Sequence, residues 1–312
     1  MNEIVLKPKD HTRISLEAEV ITPDSFAGKS LDEIENMMLY QGNRSVRLKE
    51  RFDVSGSPCD TAADLRIIID GDAPRTKRVG EKMSCGEIVV RGNIDMHVGA
   101  EMTGGKITVE GNADNFVGRE MVGGLIHIKG NALDYVGGTA RGKMEGMRGG
   151  EIIVDGDAGD HVGNFMYGGV IKIRGNVGQS AGQHMRGKGT IIIGGNSWSR
   201  VGCEAADGTI LVKGKVHLST ASLGYGCIGQ VVKDPELGGD VIEGEFYELR
   251  ADMGYEPKCG IAKVYASVGL NEHILPGGRT SVPRKGDMPV NRDMLPYLKI
   301  YHEEMIVKGG KK

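Results

Sequence analysis

The stretch GGKITVEGNADNFVGREMVGGLIHIKGN, Gly104–Asn131, says nearly the same thing twice: GGKITVEGNADNFVGREM is followed by GGLIHIKGN with its parts in the same order. Glycines at this density could cradle a phosphate, or they could mark corners that recur because the architecture recurs. Spacing decides between the two. The glycine that ends each alternating segment, usually followed by Asn or Asp, falls at Gly71, Gly92, Gly111, Gly130, Gly156, Gly175, Gly195 and Gly214, in steps of 21, 19, 19, 26, 19, 20 and 19 residues. A period this regular marks a stacked repeat.

Each unit has three parts. The first is G-[ND]-x-x-x-x-V-G, as in GNIDMHVG and GDAGDHVG. The second carries a methionine before a glycine pair, and Met83, Met102, Met121, Met147, Met166 and Met185 recur at one position. The third alternates strictly, as in KITVEG, LIHIKG and VIKIRG, which is the period of a half-buried strand. Its inward pairs run from Ile67/Ile69 through Ile88/Val90, Ile107/Val109, Ile126/Ile128, Ile152/Val154, Ile171/Ile173 and Ile191/Ile193 to Ile210/Val212, while the positions between them vary. Glycine suits corners because it reaches positive φ without a Cβ penalty. The Asn or Asp after it is expected to tolerate the left-handed conformation and to form a ladder along the stack.

The predicted fold is therefore all-β: a three-sided parallel β-helix of about seven 19-residue coils, roughly 34 Å long at ~4.8 Å per coil. Residues 67–214 form the solenoid. Residues 1–66 read as a small α+β cap, with a short strand at Glu3–Leu6 and a capping box, Ser30 with Glu33, before a helix. Residues 215–274 read as an irregular C-terminal cap and 275–312 as an extended tail. Exposed sheet edges at the ends of a stack need such covers.

Two coils are longer than the rest. Seven extra residues between Gly137 and Gly150 carry Arg141, Lys143 and Arg148, and the first coil, GDAPRTKRVG, is equally basic. Such insertions project as loops, either to meet a partner or as ordinary solvated excursions. Val89, Ile153, Ile192 and Leu211 fall at equivalent outward places. An apolar stripe there marks a protein interface or a surface covered by the chain's own flanks.

Composition excludes several classes. The net charge of −3 in 312 residues leaves no basic footprint for nucleic acid. Fifty glycines, about one residue in six against a usual ~7%, lack the three-residue period of collagen. The five cysteines (Cys59, Cys85, Cys203, Cys227, Cys259) are scattered and never spaced as CxxC, against a disulfide framework or a metal site of this chain's own. No signal peptide and no membrane span are evident, so a cytoplasmic protein is expected.

Candidate chemistry is thin. FAGKS (Phe26–Ser30) has Pro23 where a P-loop needs its first glycine. GYGCIG (Gly224–Gly229) matches a dinucleotide fingerprint by letter but precedes no helical pattern. His97 and His161 share one place in their coils, separated by Phe116 and Tyr135; three coil steps of ~4.8 Å set them too far apart for one metal. His184, His217 and His273 have no evident carboxylate or cysteine companion. No catalytic, cofactor-binding or metal-ligating residue is assigned in this chain.

The repeat G-N-x-x-x-x-V-G-x-x-M-x-G-G-x-I-x-V-x-G resembles the glycine-repeat fold shared by the C-terminal domain of the glutamate synthase large subunit and by the C subunit of formylmethanofuran dehydrogenase. The flanks ITPDSFAGKSLDEI, RIIIDGDAPRTKRVGEKMSCGEIVVRGN and GIAKVYASVGLNEHI resemble the second, over roughly residues 1–274. That resemblance implies a non-catalytic scaffold in a complex of methanogenic archaea that reduces CO2 to formate and condenses it with methanofuran. It implies partners: a formate-dehydrogenase-like subunit with a molybdenum or tungsten pterin and an iron–sulfur cluster, an amidohydrolase-like subunit with a zinc pair, and ferredoxin-like subunits. Alternatives are the same subunit in a bacterial formyltransferase/hydrolase complex, a glutamate-synthase-type structural domain, and a self-contained ligand-binding or acyltransferase-like solenoid. The last would need a histidine beside a carboxylate in a groove between coils, which the sequence does not reveal.

Overall fold

The computed structural model describes residues 1–9, 13–218, 223–251 and 262–275, with backbone alone at 218 and 223–229. The expected tail after Leu275, and Cys259, lie outside the described residues. The chain is all-β with a few short helices. Strands Leu65–Ile69, Glu87–Val90, Lys106–Val109, Leu125–Ile128, Glu151–Val154, Val170–Ile173, Thr190–Ile193 and Thr209–Val212 are consecutive neighbours in one sheet, every pair parallel. Register aligns the repeats, so that Ile107 faces Ile126, Ile126 faces Ile152 and Ile152 faces Ile171.

Between successive strands the chain returns by two further columns of backbone contact. One is a line of isolated parallel bridges, Ala73–Ile94–Ala113–Ala132 and Ala158–Val177–Ser197. The other runs from glycine N–H to the valine carbonyl one coil before: Gly99 to Val79, Gly118 to Val98 and Gly137 to Val117, at 2.8–2.9 Å. All sixteen inward Ile and Val side chains are buried, as are the six stacked methionines. Each such burial contributes about 1.5–3 kcal/mol. That is the reason only the inward set repeats.

The thirteen-stranded sheet is mixed rather than wholly parallel, and the difference lies at its ends. Asn2–Pro8 adds a parallel neighbour to Leu65–Ile69, and Phe52–Gly56 closes that end antiparallel. At the far end Lys263–Ser267 pairs parallel with Thr209–Val212, then Glu245–Ala251 and Leu223–Lys233 follow antiparallel. A repeat cannot finish itself, because its last strand exposes a full row of unpaired backbone groups. Strands from the flanks take up those rows.

The capping box forms as expected: Ser30 Oγ accepts from Glu33 N–H and the Glu33 carboxylate accepts from Ser30 N–H, opening helix Leu31–Glu35. Ser30 thus serves a helix N-terminus and not a nucleotide loop. GYGCIG lies within the strand Leu223–Lys233, so the strand–turn–helix context of a dinucleotide site is missing there. The basic extension of the first coil meets this chain's own cap: Thr76–Lys77 pairs with Leu16–Glu17, and Arg78 binds Glu17 at 2.6 Å and Glu81 at 2.8 Å.

The outward apolar stripe divides. Val89, Thr108, His127, Ile153, Lys172, Ile192 and Leu211 are register partners along one face. Ile192 and Leu211 are buried in one cluster with Ile242, Phe246 and Tyr265, the last being Leu211's register partner on the next strand, so at that end the chain's own flank closes the stripe. Val89 and Ile153 stay half-buried.

Candidate functional site

The corners carry the chemistry. The residue before Val-Gly (Ala-Gly in one coil) and, in every coil but the one with the insertion, the residue before the methionine position are left-handed without being glycine. Arg78, His97, Phe116, Tyr135, His161, Ser180 and Arg200 have φ of 57–67°, and Lys82, Glu101, Glu120, Phe165, His184 and Glu204 have φ of 56–59°. A left-handed L-residue costs about 1–2 kcal/mol. The conformation persists because it aims each N–H at the next coil: His97 to Asn115 O at 3.0 Å, Phe116 to Asp134 O at 2.9 Å, Glu101 to Arg119 O at 2.7 Å. Strain repeated in every coil is architectural. It places two columns of side chains side by side on the outside of the stack.

The Asn/Asp residues after the corner glycines are not among the left-handed residues, contrary to expectation. They form the expected ladder by another route. Each side-chain carbonyl oxygen accepts the main-chain N–H of its counterpart one coil on: Asn93 N to Asp72 Oδ1, Asn112 N to Asn93 Oδ1, Asn131 N to Asn112 Oδ1 and Asp157 N to Asn131 Oδ1, all at 2.8 Å.

In the first column His97, Phe116, Tyr135 and His161 stack ring on ring with centroids 5.0, 4.9 and 4.8 Å apart. Such pairs contribute about 0.5–1.5 kcal/mol each. The two histidines stand three ring steps apart, too far to share a metal. Burial, with Arg119 and Arg78 nearby, pushes His97 down to about 4, and its Nδ1 is buried without a hydrogen-bond partner. His97 is therefore a neutral stacking ring at pH 7. Among the described residues no group of three or more His, Cys, Asp or Glu is placed to hold a metal ion.

The second column begins as an ion network. Buried Arg119 reaches Glu101 at 3.0 Å, Glu120 at 3.1 Å and Glu81 at 3.9 Å. Burial acts to raise Glu120, but Lys143 at 2.5 Å, the Ala140 N–H at 3.0 Å and Arg119 outweigh it and hold the carboxyl below its ordinary range. Lys143 belongs to the seven-residue insertion, so this contact fastens the loop to the coil below it. Loop and column enclose an open cleft lined by Glu101, Glu120, Lys143, Met144, Glu145 and Arg148.

Two histidines have carboxylate partners that reading along the sequence missed. His127 Nε2 lies 3.0 Å from Asp155 Oδ2, and His184 Nδ1 lies 3.2 Å from Glu204 Oε2. The second pair was findable by aligning repeats, since Glu204 holds the His184 position one coil later; the first is diagonal and crosses the insertion. His273 instead meets the Val216 carbonyl at 2.7 Å, and His217 tilts against Trp198. A histidine–carboxylate pair can relay a proton when it orients a nucleophile. Among the described residues neither His127 nor His184 hydrogen-bonds a Ser, Thr or Cys side chain. Burial lowers His184, with Glu204 opposing it.

No family model matches the chain. Over 98 residues, 31% of this chain and 36% of the relative, it is 54% identical to the C subunit of the tungsten-containing formylmethanofuran dehydrogenase 2 of Methanothermobacter thermautotrophicus. Over 98 residues it is 50% identical to the C subunit of the molybdenum-containing formylmethanofuran dehydrogenase 1 of Methanosarcina barkeri, covering 33% of that protein. The chain thus spans about a third of the length of these curated relatives. In three dimensions it resembles a chain in the crystal structure of the formyltransferase/hydrolase complex from Methylorubrum extorquens bound to methylofuran. The TM-score is 0.71 at 23% identity, over 85% of this chain and 99% of that one, a likeness of fold. No helix among the described residues is long and apolar enough to cross a membrane.

Proposed function

We propose that this chain is the structural C subunit of a formylmethanofuran dehydrogenase complex, holding in register the subunits that reduce CO2 to formate and condense it with methanofuran. The observation that carries this reading is the 54% identity to a protein bearing that name. In this reading residues 67–214 are a three-sided parallel β-helix, supported by the three columns of parallel backbone contact, and the segments around it are its caps. The physics suits a scaffold. Successive coils are tied by sheet hydrogen bonds, a side-chain ladder, stacked rings and buried methionines, so the rod has few ways to bend.

The chemistry would belong to other subunits. Tungsten or molybdenum in the relatives' names would be held by a pterin-bearing partner. The proposed partners are a formate-dehydrogenase-like subunit, an amidohydrolase-like subunit with zinc, and ferredoxin-like subunits. The likeness to a chain of a formyltransferase/hydrolase complex favours a second reading, in which the same scaffold serves a complex that releases formate without redox chemistry.

One experiment separates them. The native complex is isolated through this chain, its subunits are identified by mass spectrometry, and its metals are measured. Tungsten or molybdenum together with iron supports the first reading. Co-purifying subunits without those metals support the second. Hydrolase or transferase activity from the chain alone, lost on replacing His127 or His184, would overturn both.

A further inference from the structure

We infer that the corner built by the insertion is a docking surface for an acidic protein surface of another subunit. The inference rests on the reading of this chain as a subunit and names the face that makes the contact. Subtracting one coil places the extra residues at 139–145, because Gly146 takes the rung between Glu120 and Phe165, donating its N–H to Phe165 O at 2.8 Å. The loop is tied down at Lys143 and Ala140, both to Glu120, so it projects in a fixed shape.

Next to it runs the column that follows the methionines, in which Arg148, Tyr167 and Arg186 occupy successive coils, each N–H bonding the methionine carbonyl one coil before. Along the loop and this column stand five cations, Arg141, Lys143, Arg148, Arg186 and Lys188, against three carboxylates, Glu120, Glu145 and Asp207, while Glu101 in the adjoining cleft is paired with Arg119. Glu120 and Glu145 are already occupied, by Lys143 and Arg148, and Asp207 accepts the Gly208 N–H. Arg141, Arg186 and Lys188 are exposed and form no ion pair among the described residues, Arg186 lying 5.7 Å above the Phe165 ring.

A cationic excess here runs against the chain's net charge of −3. Elsewhere the stack neutralises itself, as where Arg91 meets Asp70, Lys129 meets Glu110 and Arg174 meets Asp155, each at 3.1 Å. At the loop no carboxylate among the described residues pairs with Arg141, Arg186 or Lys188, and an acidic partner surface would supply such partners. Met144 on the loop and Val122, one coil before Arg148 in the column, add exposed apolar side chains, 59% and 42% exposed. Interfaces of this make-up take their rate and specificity from the charges.

The test uses the complex isolated through the full chain. Arg141→Glu, Arg186→Glu and Lys188→Glu are combined, with Lys213→Glu, exposed on another part of the stack, as control. Thermal unfolding of both variants is compared with that of the unaltered chain to show that the fold is kept. Retention of each subunit is then followed by native mass spectrometry from about 0.05 to 1 M salt, where screening weakens surface charge contacts. The expected result is that one subunit dissociates about tenfold more readily from the triple variant near 0.15 M salt, that the gap closes toward 1 M, and that the control behaves as the unaltered chain. Equal retention across the salt range would overturn the inference while leaving the subunit reading intact. Loss of a second copy of this chain, rather than a different subunit, would overturn it as well. If the unaltered chain retains no other protein, the subunit reading fails and this inference falls with it.

Discussion

Replacing Gly118 with valine tests the architectural reading of the glycines most directly. Gly118 sits at φ +62°, and a Cβ built on it would lie 2.4 Å from Ile152 Cδ1, 3.2 Å from Ile152 Cγ1 and 3.3 Å from Ile126 Cδ1. Two costs combine. Left-handed backbone for an L-residue is worth about 1–2 kcal/mol, at the upper end for a β-branched side chain. Overpacking a filled core adds about 1–3 kcal/mol, because Ile152 cannot swing away without displacing other fully buried side chains. A loss of about 3–5 kcal/mol is a large part of the 5–15 kcal/mol that holds a typical domain together. Hydrogen exchange is the suitable assay, since stacked repeats can open locally rather than all at once. Amides across residues 115–128 should lose protection first, including the Gly118 N–H that donates to Val98 O at 2.8 Å. Urea unfolding should start at lower concentration. Gly118→Ala should show a smaller effect in the same direction. If valine left exchange and urea stability within about 1 kcal/mol of the parent, these glycines would not be structural corners and the reading of the repeat would be wrong.

Two further predictions follow from the columns. His97 is held down to about 4 in the fold from an ordinary value of 6.5, so between those values the unfolded chain binds the extra proton. Stability should therefore be undiminished above about pH 6.5, fall as pH drops from there toward 4, and flatten below. His97→Phe, which keeps the ring stack, should remove that part of the slope in melting curves measured from pH 4 to 7.5; an unchanged slope would mean that other groups set it. Asn131 Oδ1 accepts the Asp157 N–H at 2.8 Å, so Asn131→Ala strands that donor and should cost about 1–3 kcal/mol in denaturant unfolding. Asn131→Asp keeps an acceptor in place and should lose less than Asn131→Ala, even beside Asp157; equal losses for both variants would refute the ladder.

Much of this was legible because burial acts identically in every coil. Ile107/Val109 and their equivalents recur since each faces the same interior, and the methionines mark the one place where an adaptable side chain fills the corner of the core. What stayed hidden depends on neighbours one coil away. The pairing of His184 with Glu204 spans twenty residues, and that of His127 with Asp155 spans the insertion. The left-handed columns were hidden because most of their residues are Arg, Lys, Phe, Tyr and Glu, types that local rules keep away from positive φ. Only the inter-coil hydrogen bonds make that conformation favourable. The apolar positions Ile192 and Leu211 read the same as Val89 and Ile153, and only the cluster they form with Ile242, Phe246 and Tyr265 separates a covered face from an open one.

The insertion is the place where sequence period and structural period part company. Gly130 to Gly156 is 26 residues, yet Ile126 still faces Ile152, and the alternation of charge along the strand ends (Asp70, Arg91, Glu110, Lys129, Asp155, Arg174) passes through it without a break. A column of like charges at the ~4.8 Å coil spacing would repel, and alternation removes that cost whatever happens at the opposite corner. The stack thus tolerates extra residues at 139–145 because every column on either side closes over them. A loop that the fold neither needs nor resists is free to vary in sequence. Its contact to the coil, through Glu120, is the part the fold must keep, while Arg141 and Met144 at its tip can change without disturbing the coils. Substitutions at Glu120 should therefore be read first as losses of stability, whereas substitutions at Arg141 or Met144 should alter assembly at unchanged stability.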